Sequence, residues 1–205
     1  MRYFRIEHLG DNTDPERVII SNHVEDIGLY CVKIAYGKHV GNNFPDDARI
    51  YLEKSKKGRR LDSLLSNTIN YLIVNTAMKD TILQHGNFPD IEIETLPFTL
   101  FDPSGKVMSK DYWIINPIGT KDVLNKKFSD IHYLDAPGDP DHGKVVSVRK
   151  FVINPDKLDE KIAIFRVPEA KEETFINETL ARAFYEKGYT NVMLEEIELE
   201  TNSRE

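Results

Sequence analysis

Hydrophobic and polar positions along the 205-residue chain follow mainly the short periods that are typical of β-strands. β-Branched and aromatic residues are frequent in these stretches, which favours strand over helix. The strands predicted in this way cover 2–8, 17–21, 29–36, 69–76, 90–102, 111–119, 145–154, 162–168, 174–176 and 191–200. Because few helical stretches lie between them, the pattern predicts the α+β class, with a mixed or mainly antiparallel sheet and few helices.

A β-hairpin is predicted in the middle of the chain. The sequence "DPSG" at 102–105 has Pro at the second and Gly at the fourth position, which is the signature of a type I turn. This turn connects two extended stretches, so 95–116 should form the hairpin. We expect Trp113 to pack within it rather than to bind a ligand. Pro97 lacks an N–H group and therefore indicates an edge or a bend in the first strand.

Two segments of the chain share one local pattern, "LIVNTAMKDTILQHG" at 72–86 and "TFINETLARAFYEKG" at 174–188. Each contains an apolar run, an Asn, and a Gly eleven positions after that Asn. Asn caps helix N-termini and Gly ends helices, so the pattern predicts a helix in each segment. The caps are Asn75 and Asn177, the stops are Gly86 and Gly188, the helices are 76–85 and 178–187, and the two strand–helix–strand units span about 70–96 and 173–200.

The apolar positions of the two segments also correspond. They are Val74 with Ile176, Met78 with Leu180, Ile82 with Phe184, and Leu83 with Tyr185. We expect them to lie on the face that each helix packs against a sheet. Any strand–helix unit needs a cap, a stop and a buried stripe, so the similarity indicates architecture and no activity. Common ancestry of the two units is the alternative interpretation.

The chain lacks a linker rich in Pro, Gly or Ser, so we expect one compact unit. Its parts would be a β-rich N-terminal part of uncertain independence at 1–66, an α+β part at 67–200, and a disordered tail at 201–205. An amphipathic stretch at 61–69 is expected to form a helix, and 119–144 is polar and expected to be loop.

Composition narrows the class of protein. The 34 acidic residues exceed the 27 Lys and Arg residues, for a net charge of −7, which argues against nucleic-acid binding and favours a basic partner. The single cysteine, Cys31, lies in a predicted strand, so we interpret it as a buried structural thiol in a reducing compartment. The chain has no apolar leader and no apolar run of about 18 residues, so we expect a cytoplasmic protein that binds no membrane.

The segment 130–142 holds the most conspicuous cluster of polar residues. It contains Asp130, His132, Asp135, Asp139, Asp141 and His142. Carboxylates and imidazoles can bind a divalent metal, so a metal-dependent hydrolase is one hypothesis. The spacing matches no known ligand pattern and lacks the Gly and terminal Glu of a calcium loop. A solvated loop, or a loop that contacts a partner, is the favoured interpretation.

A second cluster, the basic run "KSKKGRR" at 54–60, has five cations in seven positions. It could contact phosphates or an acidic partner, but it lacks the interleaved aromatic residues that stack on bases. We interpret it as a solvated turn before a helix. The sequence contains no nucleophile elbow and no phosphate-binding loop, so it predicts a binding protein rather than an enzyme.

The order of the elements from "LIVNTAMKDTIL" through "DYWIINPIG", "KFVINPDKL" and "IAIFRVP" to the closing strand–helix–strand unit resembles a known family. This is immunity protein family eleven of the bacterial polymorphic toxin systems. The resemblance covers about 70–199 and includes Phe165 and Arg166 in the "IFR" motif.

The resemblance implies a protein that binds and neutralises a cognate toxin domain without catalysis, cofactor or metal. The acidic balance of the chain would suit a basic toxin, such as a nuclease. The residues expected to contact such a toxin are Asp135, Asp139, Asp141 and His142.

Overall fold

The computed structural model describes residues 1–11, 13–55, 58–85 and 91–201. The strands in these ranges are β1 (Tyr3–Ile6), β2 (Ile19–Ile20), β3 (Arg49–Tyr51), β4 (Ser66–Asn67), β5 (Leu72–Asn75), β6 (Ile93–Phe101), β7 (Val107–Pro117), β8 (Asp130–Tyr133), β9 (Val145–Lys150), β10 (Val152–Ile153), β11 (Ile164–Val167), β12 (Ala170–Asn177) and β13 (Leu194–Leu199). The α-helices are α1 (Tyr30–Ala35), α2 (Thr76–His85) and α3 (Glu178–Glu186). The predicted α+β class is confirmed.

Two larger sheets and two strand pairs make up the fold. The first sheet has the order β10-β13-β1-β12-β11, and the second has the order β3-β6-β7-β5. Most pairs are antiparallel, but β10 is parallel to β13 and β3 is parallel to β6. Strands β2 and β4 form a parallel pair, while β8 and β9 form an antiparallel ribbon. The N-terminal strand β1 lies between two C-terminal strands, so the chain ends meet in one sheet.

The predicted central hairpin is formed by β6 and β7, with the Gly105 N–H donating to Asp102 O at 3.0 Å in the turn. The prediction for Pro97 is only partly met, because β6 lies between β3 and β7 and is not an edge strand. β3 pairs with β6 from Thr99 onward, where the Thr99 N–H donates to Ala48 O. The nitrogen of Pro97, two residues earlier, faces the same side beyond the end of β3, where no ladder donor is needed.

Three apolar clusters form the core. The first packs α1 and the N-terminal segments on the second sheet, with Ile34, Ile50 and Ile114 among its members. The second lies on the first sheet around Phe165 and Phe175. The third takes residues from both sheets and from both α2 and α3. It therefore joins the two sheets through the two helices.

The helices of the two strand–helix units were predicted correctly. Asn75 Oδ1 accepts from the Met78 N–H and Asn177 Oδ1 from the Leu180 N–H, both at 3.0 Å. Gly188 has φ +66°, the left-handed conformation that ends a helix. Gly86 lies outside the described residues.

The four pairs of corresponding apolar residues were predicted to be buried, and this is confirmed for three pairs and wrong for the fourth. Met78, Ile82, Leu180 and Phe184 are buried, as are Val74 and Ile176. Leu83 is 41% exposed and Tyr185 is 88% exposed. The reason is geometric, since a residue directly after a buried helical position is rotated by about 100° away from the buried face.

Three secondary-structure predictions were wrong in whole or in part. The stretch 29–36 forms the helix α1, not a strand, and Cys31 is half-buried on that helix instead of lying mid-strand. The stretch 61–69 forms β4 and one isolated bridge, between Leu64 and Val74, not a helix. Leu64, Leu65 and Ser66 are all buried, so consecutive side chains face protein on both sides, which a surface helix cannot provide. The predicted loop 119–144 also contains strand β8. Residues 202–205 of the predicted tail lie outside the described residues.

Candidate functional site

The four residues predicted to contact a partner lie in the turn of the β8–β9 ribbon. Asp135, Asp139, Asp141 and His142 are all exposed. The base of the ribbon is held to the molecule, because Ile131 and Val148 pack against the second core cluster. The structure therefore places these four side chains at the solvent-facing tip of an attached hairpin, which we call the ribbon tip (residues 134–144).

Hydrogen bonds within the ribbon tip occupy several of its polar atoms. The Ala136 N–H donates to His142 Nδ1 at 3.1 Å, and the Asp141 N–H donates to Asp139 Oδ1 at 2.7 Å. Lys144 forms an ion pair with Asp141. These are contacts of a well-formed turn, and they neutralise one of the three acidic charges.

The other two residues of the polar cluster, Asp130 and His132, lie on β8. In the described part of the chain, no three His, Cys, Asp or Glu side chains come together as a metal site. The structure thus gives no support to the hydrolase hypothesis.

The basic run is folded back onto the N-terminal segment in the part that the structure describes. Arg60 forms ion pairs with Asp14 at 2.6 Å and with Asp62 at 3.6 Å. The main-chain N–H groups of Arg59 and Arg60 both donate to Glu16 O at 2.8 Å. Lys56 and Lys57 lie outside the described residues. The charge of Arg60 is therefore neutralised within the protein.

A cleft of about 250 Å³ lies beside β1 and contains His8. His8 Nδ1 is 3.0 Å from Tyr71 O, so Nδ1 carries the proton. Burial lowers the pKa of His8 to about 4, so the ring is neutral at physiological pH.

Burial also raises the pKa of Glu173, whose carboxylate lies 3.6 Å from Arg5. Arg5 also pairs with Glu7 and Glu195, so the carboxylates of this region serve an ion-pair network.

The short helix α1 exposes a row of apolar side chains that the sequence analysis missed. Leu29, directly before the helix, is 88% exposed, Val32 is 48% exposed and Tyr36 is 44% exposed. Their spacing of three and four residues places them on one helix face. We call these three residues the α1 stripe. The spacing was visible in the sequence, but 29–36 was interpreted as a strand.

The opposite side of α1 is fixed to the core. Ile34 is buried, and Cys31 and Ala35 pack against the first cluster. Tyr71 Oη donates to Cys31 O at 3.0 Å. Six residues are too few for a helix to be stable on its own, so these contacts hold it.

Arg166, from the "IFR" motif, makes the second attachment of α1. Its side chain is fully buried on β11 and donates to Ala35 O at 2.7 Å, to Ile34 O at 3.5 Å and to Lys171 O. Burial lowers the pKa of Arg166 to about 10, which leaves it charged at neutral pH. Gly37 has φ +63°, and a Cβ there would lie 2.9 Å from Arg166 Cδ. The guanidinium thus binds the last carbonyls of α1, and Gly37 makes room for it.

Two acidic residues, Glu25 and Asp26, precede the α1 stripe closely in the chain. Glu25, Asp26 and Asp47 line a cleft of about 220 Å³ together with Pro45 and Arg49. Asp47 pairs with Arg49, but neither Glu25 nor Asp26 has an ion pair among the described residues. We call Glu25, Asp26 and Asp47 the acidic rim.

An apolar groove of about 250 Å³ runs along α3 on another part of the surface. Its lining residues are Ala181, Phe184, Tyr185, Gly188, Tyr189, Val192 and Leu194. The charges beside it are mixed, since Glu178 and Arg182 pair across one turn of the helix. Among the described helices, none is long and apolar enough to cross a membrane.

The model of one protein family, described as an immunity protein family (Imm11), matches residues 7–198. The chain belongs to the Imm11 immunity protein family. The match begins just after β1 and ends within β13, so it covers the whole four-stranded sheet, all three helices and the five-stranded sheet except β1 and the last residue of β13. The family resemblance inferred for about 70–199 is thus confirmed and extends through the N-terminal part. A comparison with curated proteins gave no match.

Proposed function

We propose that this Imm11 protein binds a cognate bacterial toxin domain and neutralises it in the cytoplasm of the producing cell, without catalysis and without a cofactor. The observation that carries the proposal is the family match over residues 7–198. Immunity proteins act through a partner, so the property to look for is a protein-binding surface.

Neutralisation by binding needs an interface of about 1,200–2,000 Å² that covers the active site of the toxin or its substrate path. The net charge of −7 supports a basic toxin, because complementary charge raises the rate of association. The ribbon tip, with Asp135, Asp139, Asp141 and His142, remains a predicted contact. We also propose that residues 1–66 and 67–200 fold as one unit, which the place of β1 inside the C-terminal sheet supports.

The proposal predicts a toxin gene beside the gene for this protein, and the test uses that toxin. Cells that express the toxin domain should stop growing, and co-expression of the immunity protein should restore growth. The two proteins should also co-purify and give a saturable signal in isothermal titration calorimetry. A toxin domain from an unrelated system, which should be neither bound nor neutralised, is the control. If growth is not restored and no complex forms, the proposal is wrong.

A further inference from the structure

We infer that the α1 stripe, bordered by the acidic rim, is the surface on which the cognate toxin docks, and that the toxin presents a basic patch around an apolar contact there. This inference rests on the proposed function and specifies its interface. Four observations support it: the apolar exposure of the stripe, the attachment of the helix, the charge of the rim, and the contrast with the other candidate surfaces.

The first observation is the exposure of three large apolar side chains in one row. Single exposed apolar residues are common on any protein and need no explanation. Val32 instead lies on α1, with Leu29 directly before the helix and Tyr36 directly after it, at the spacing of one helix face. The central parts of protein interfaces are enriched in such apolar and aromatic groups, which carry most of the binding energy.

The second observation is that the helix is fixed in place before any partner binds. A fully buried guanidinium donates to two carbonyls of α1, and Tyr71 donates to a third. Burial of a charged group is unfavourable unless the group is hydrogen-bonded. The hydrogen bonds that satisfy the buried guanidinium also hold the short surface helix in place. A preorganised surface loses less conformational entropy on binding and therefore binds more tightly.

The third observation is the charge around the stripe. Asp26 precedes Leu29 by three residues, and Glu25 lies beside it. Neither carboxylate is neutralised by a cation among the described residues. Lys33 on α1 and Lys38 after it are exposed cations, and Lys33 lies over the ring of Tyr30 at 4.6 Å. The negative charge is therefore at the N-terminal end of the stripe. The combination of an apolar row and free carboxylates suits a partner with basic groups around an apolar contact.

The ribbon tip and the α3 groove are weaker candidates for the docking surface than the α1 stripe. In the ribbon tip one of three carboxylates is paired, as in the acidic rim, but the exposed residues there are mainly polar and form no apolar row. In the α3 groove, the paired charges of Glu178 and Arg182 do not select a partner of either sign. Both surfaces therefore serve as controls in the test.

The first experiment truncates the stripe. Purified Leu29→Ala/Tyr36→Ala protein is titrated with the toxin domain, and we expect the Kd to rise by about 30-fold or more, as for two anchor residues of an interface. The matched control is Val146→Ala/Tyr185→Ala, which removes apolar groups that are 57% and 88% exposed elsewhere, and it should leave the Kd within about 3-fold of wild type. Thermal unfolding of both variants should match that of the wild type, since the truncated side chains are on the surface.

The second experiment removes the charge of the rim. Glu25→Gln/Asp26→Asn should slow association by about 10-fold at low ionic strength, and the difference should vanish in 1 M salt, where the Debye length is about 3 Å. The control is Asp139→Asn/Asp141→Asn in the ribbon tip, which should change the association rate less.

Each failure has its own meaning. If the wild-type chain neither binds the toxin nor restores growth, the proposed function is wrong and the inference is wrong with it. If the wild type binds and the stripe variant binds equally well, the inference alone is overturned. Loss of binding by the ribbon-tip variant, with the stripe variant unaffected, overturns it in favour of the ribbon tip.

Discussion

The two strand–helix units of the molecule share a local pattern but occupy different surroundings. In the first unit, β5 is an edge strand of the four-stranded sheet and leads into α2. In the second, β12 lies inside the five-stranded sheet, between β1 and β11, and leads into α3. The caps and the buried stripes are the same in kind. What differs is the part of the molecule to which the N-terminal end of each helix is tied.

The first residue of each helix shows this difference. At the start of α2, Thr76 Oγ1 accepts from the indole N–H of Trp113 at 3.0 Å, which ties the helix to its own sheet. At the start of α3, Glu178 forms an ion pair with Arg2 at 2.9 Å, which ties the helix to the N-terminal end of the chain. A shared local pattern therefore specifies the helix, while residues distant in sequence specify what the helix joins.

The largest effect is expected from the buried stripes. Phe184→Ala should lower the free energy of unfolding by about 3–5 kcal/mol, and Ile82→Ala by about 2–4 kcal/mol, because each leaves a cavity in the cluster that joins the two sheets. Urea denaturation measures both. The adjacent exposed positions are the controls: Tyr185→Ala and Leu83→Ala should each cost less than about 1 kcal/mol. Equal costs at positions 184 and 185 would contradict the assigned faces of α3.

The helix caps should differ by a smaller amount. Asn177→Ala should cost about 1–2 kcal/mol and Asn75→Ala about 0.5–1 kcal/mol in the free energy of unfolding. The reason is that Asn177 is only 4% exposed and its side chain also donates to Glu160 O, at 3.4 Å, whereas Asn75 is half-buried. Asn75→Asp retains the capping oxygen and serves as the control. A larger loss at position 75 than at 177 would refute this ranking.

Gly188, which ends α3, should contribute about 1 kcal/mol to the free energy of unfolding. Gly188 has φ +66°, and a Cβ there would meet no atom within 4 Å. The cost of Gly188→Ala, measured by urea denaturation, should therefore come from the left-handed backbone alone and amount to about 1 kcal/mol. Gly188→Asn should cost less, because Asn tolerates this conformation. If Ala were as stable as Gly, the backbone at this stop would not be left-handed in solution.

The smallest effect is expected in the pH-dependent contribution of Glu178, at the start of α3, to the stability of the fold. The hydrogen bond and charge of Arg2 lower the pKa of Glu178 to about 2, below its unfolded value of about 4.5. The ionised carboxylate therefore stabilises the fold; this contribution is complete above about pH 4.5 and is lost as the pH falls towards 2. The Tm difference between wild type and Glu178→Gln should be constant above pH 5 and shrink in acid. In an Arg2→Gln background the difference should be smaller at every pH, and a difference that grew in acid would contradict the pKa shift.

The sequence predicted the parts of the fold that local interactions specify. α2 and α3 could be predicted because Asn75, Asn177 and Gly188 act within a few residues of themselves, and the central hairpin because its turn has one strong signature. α1 could not be predicted in the same way. Its residues are β-branched and aromatic, and the bonds that make it a helix come from Tyr71 and Arg166, which lie 40 and 131 residues away in the chain.

The same physical reason applies to the candidate surfaces. The ribbon tip was found from sequence because its acidic residues lie within seven positions of one another, and the structure places it in solvent as a turn. The α1 stripe was missed because its three residues form a row only if 29–36 is helical. A surface that depends on a tertiary contact can be recognised from sequence only after that contact is known.

The buried guanidinium of Arg166 has a consequence for how such a protein can change over generations. It binds α1 through main-chain carbonyls, which every residue type possesses, and makes no use of the outward side chains. Substitutions at positions 29, 32 and 36 would therefore leave the placement of the helix unaltered. Selection for a new toxin could then act on the contact residues one at a time, without opposition from selection for folding.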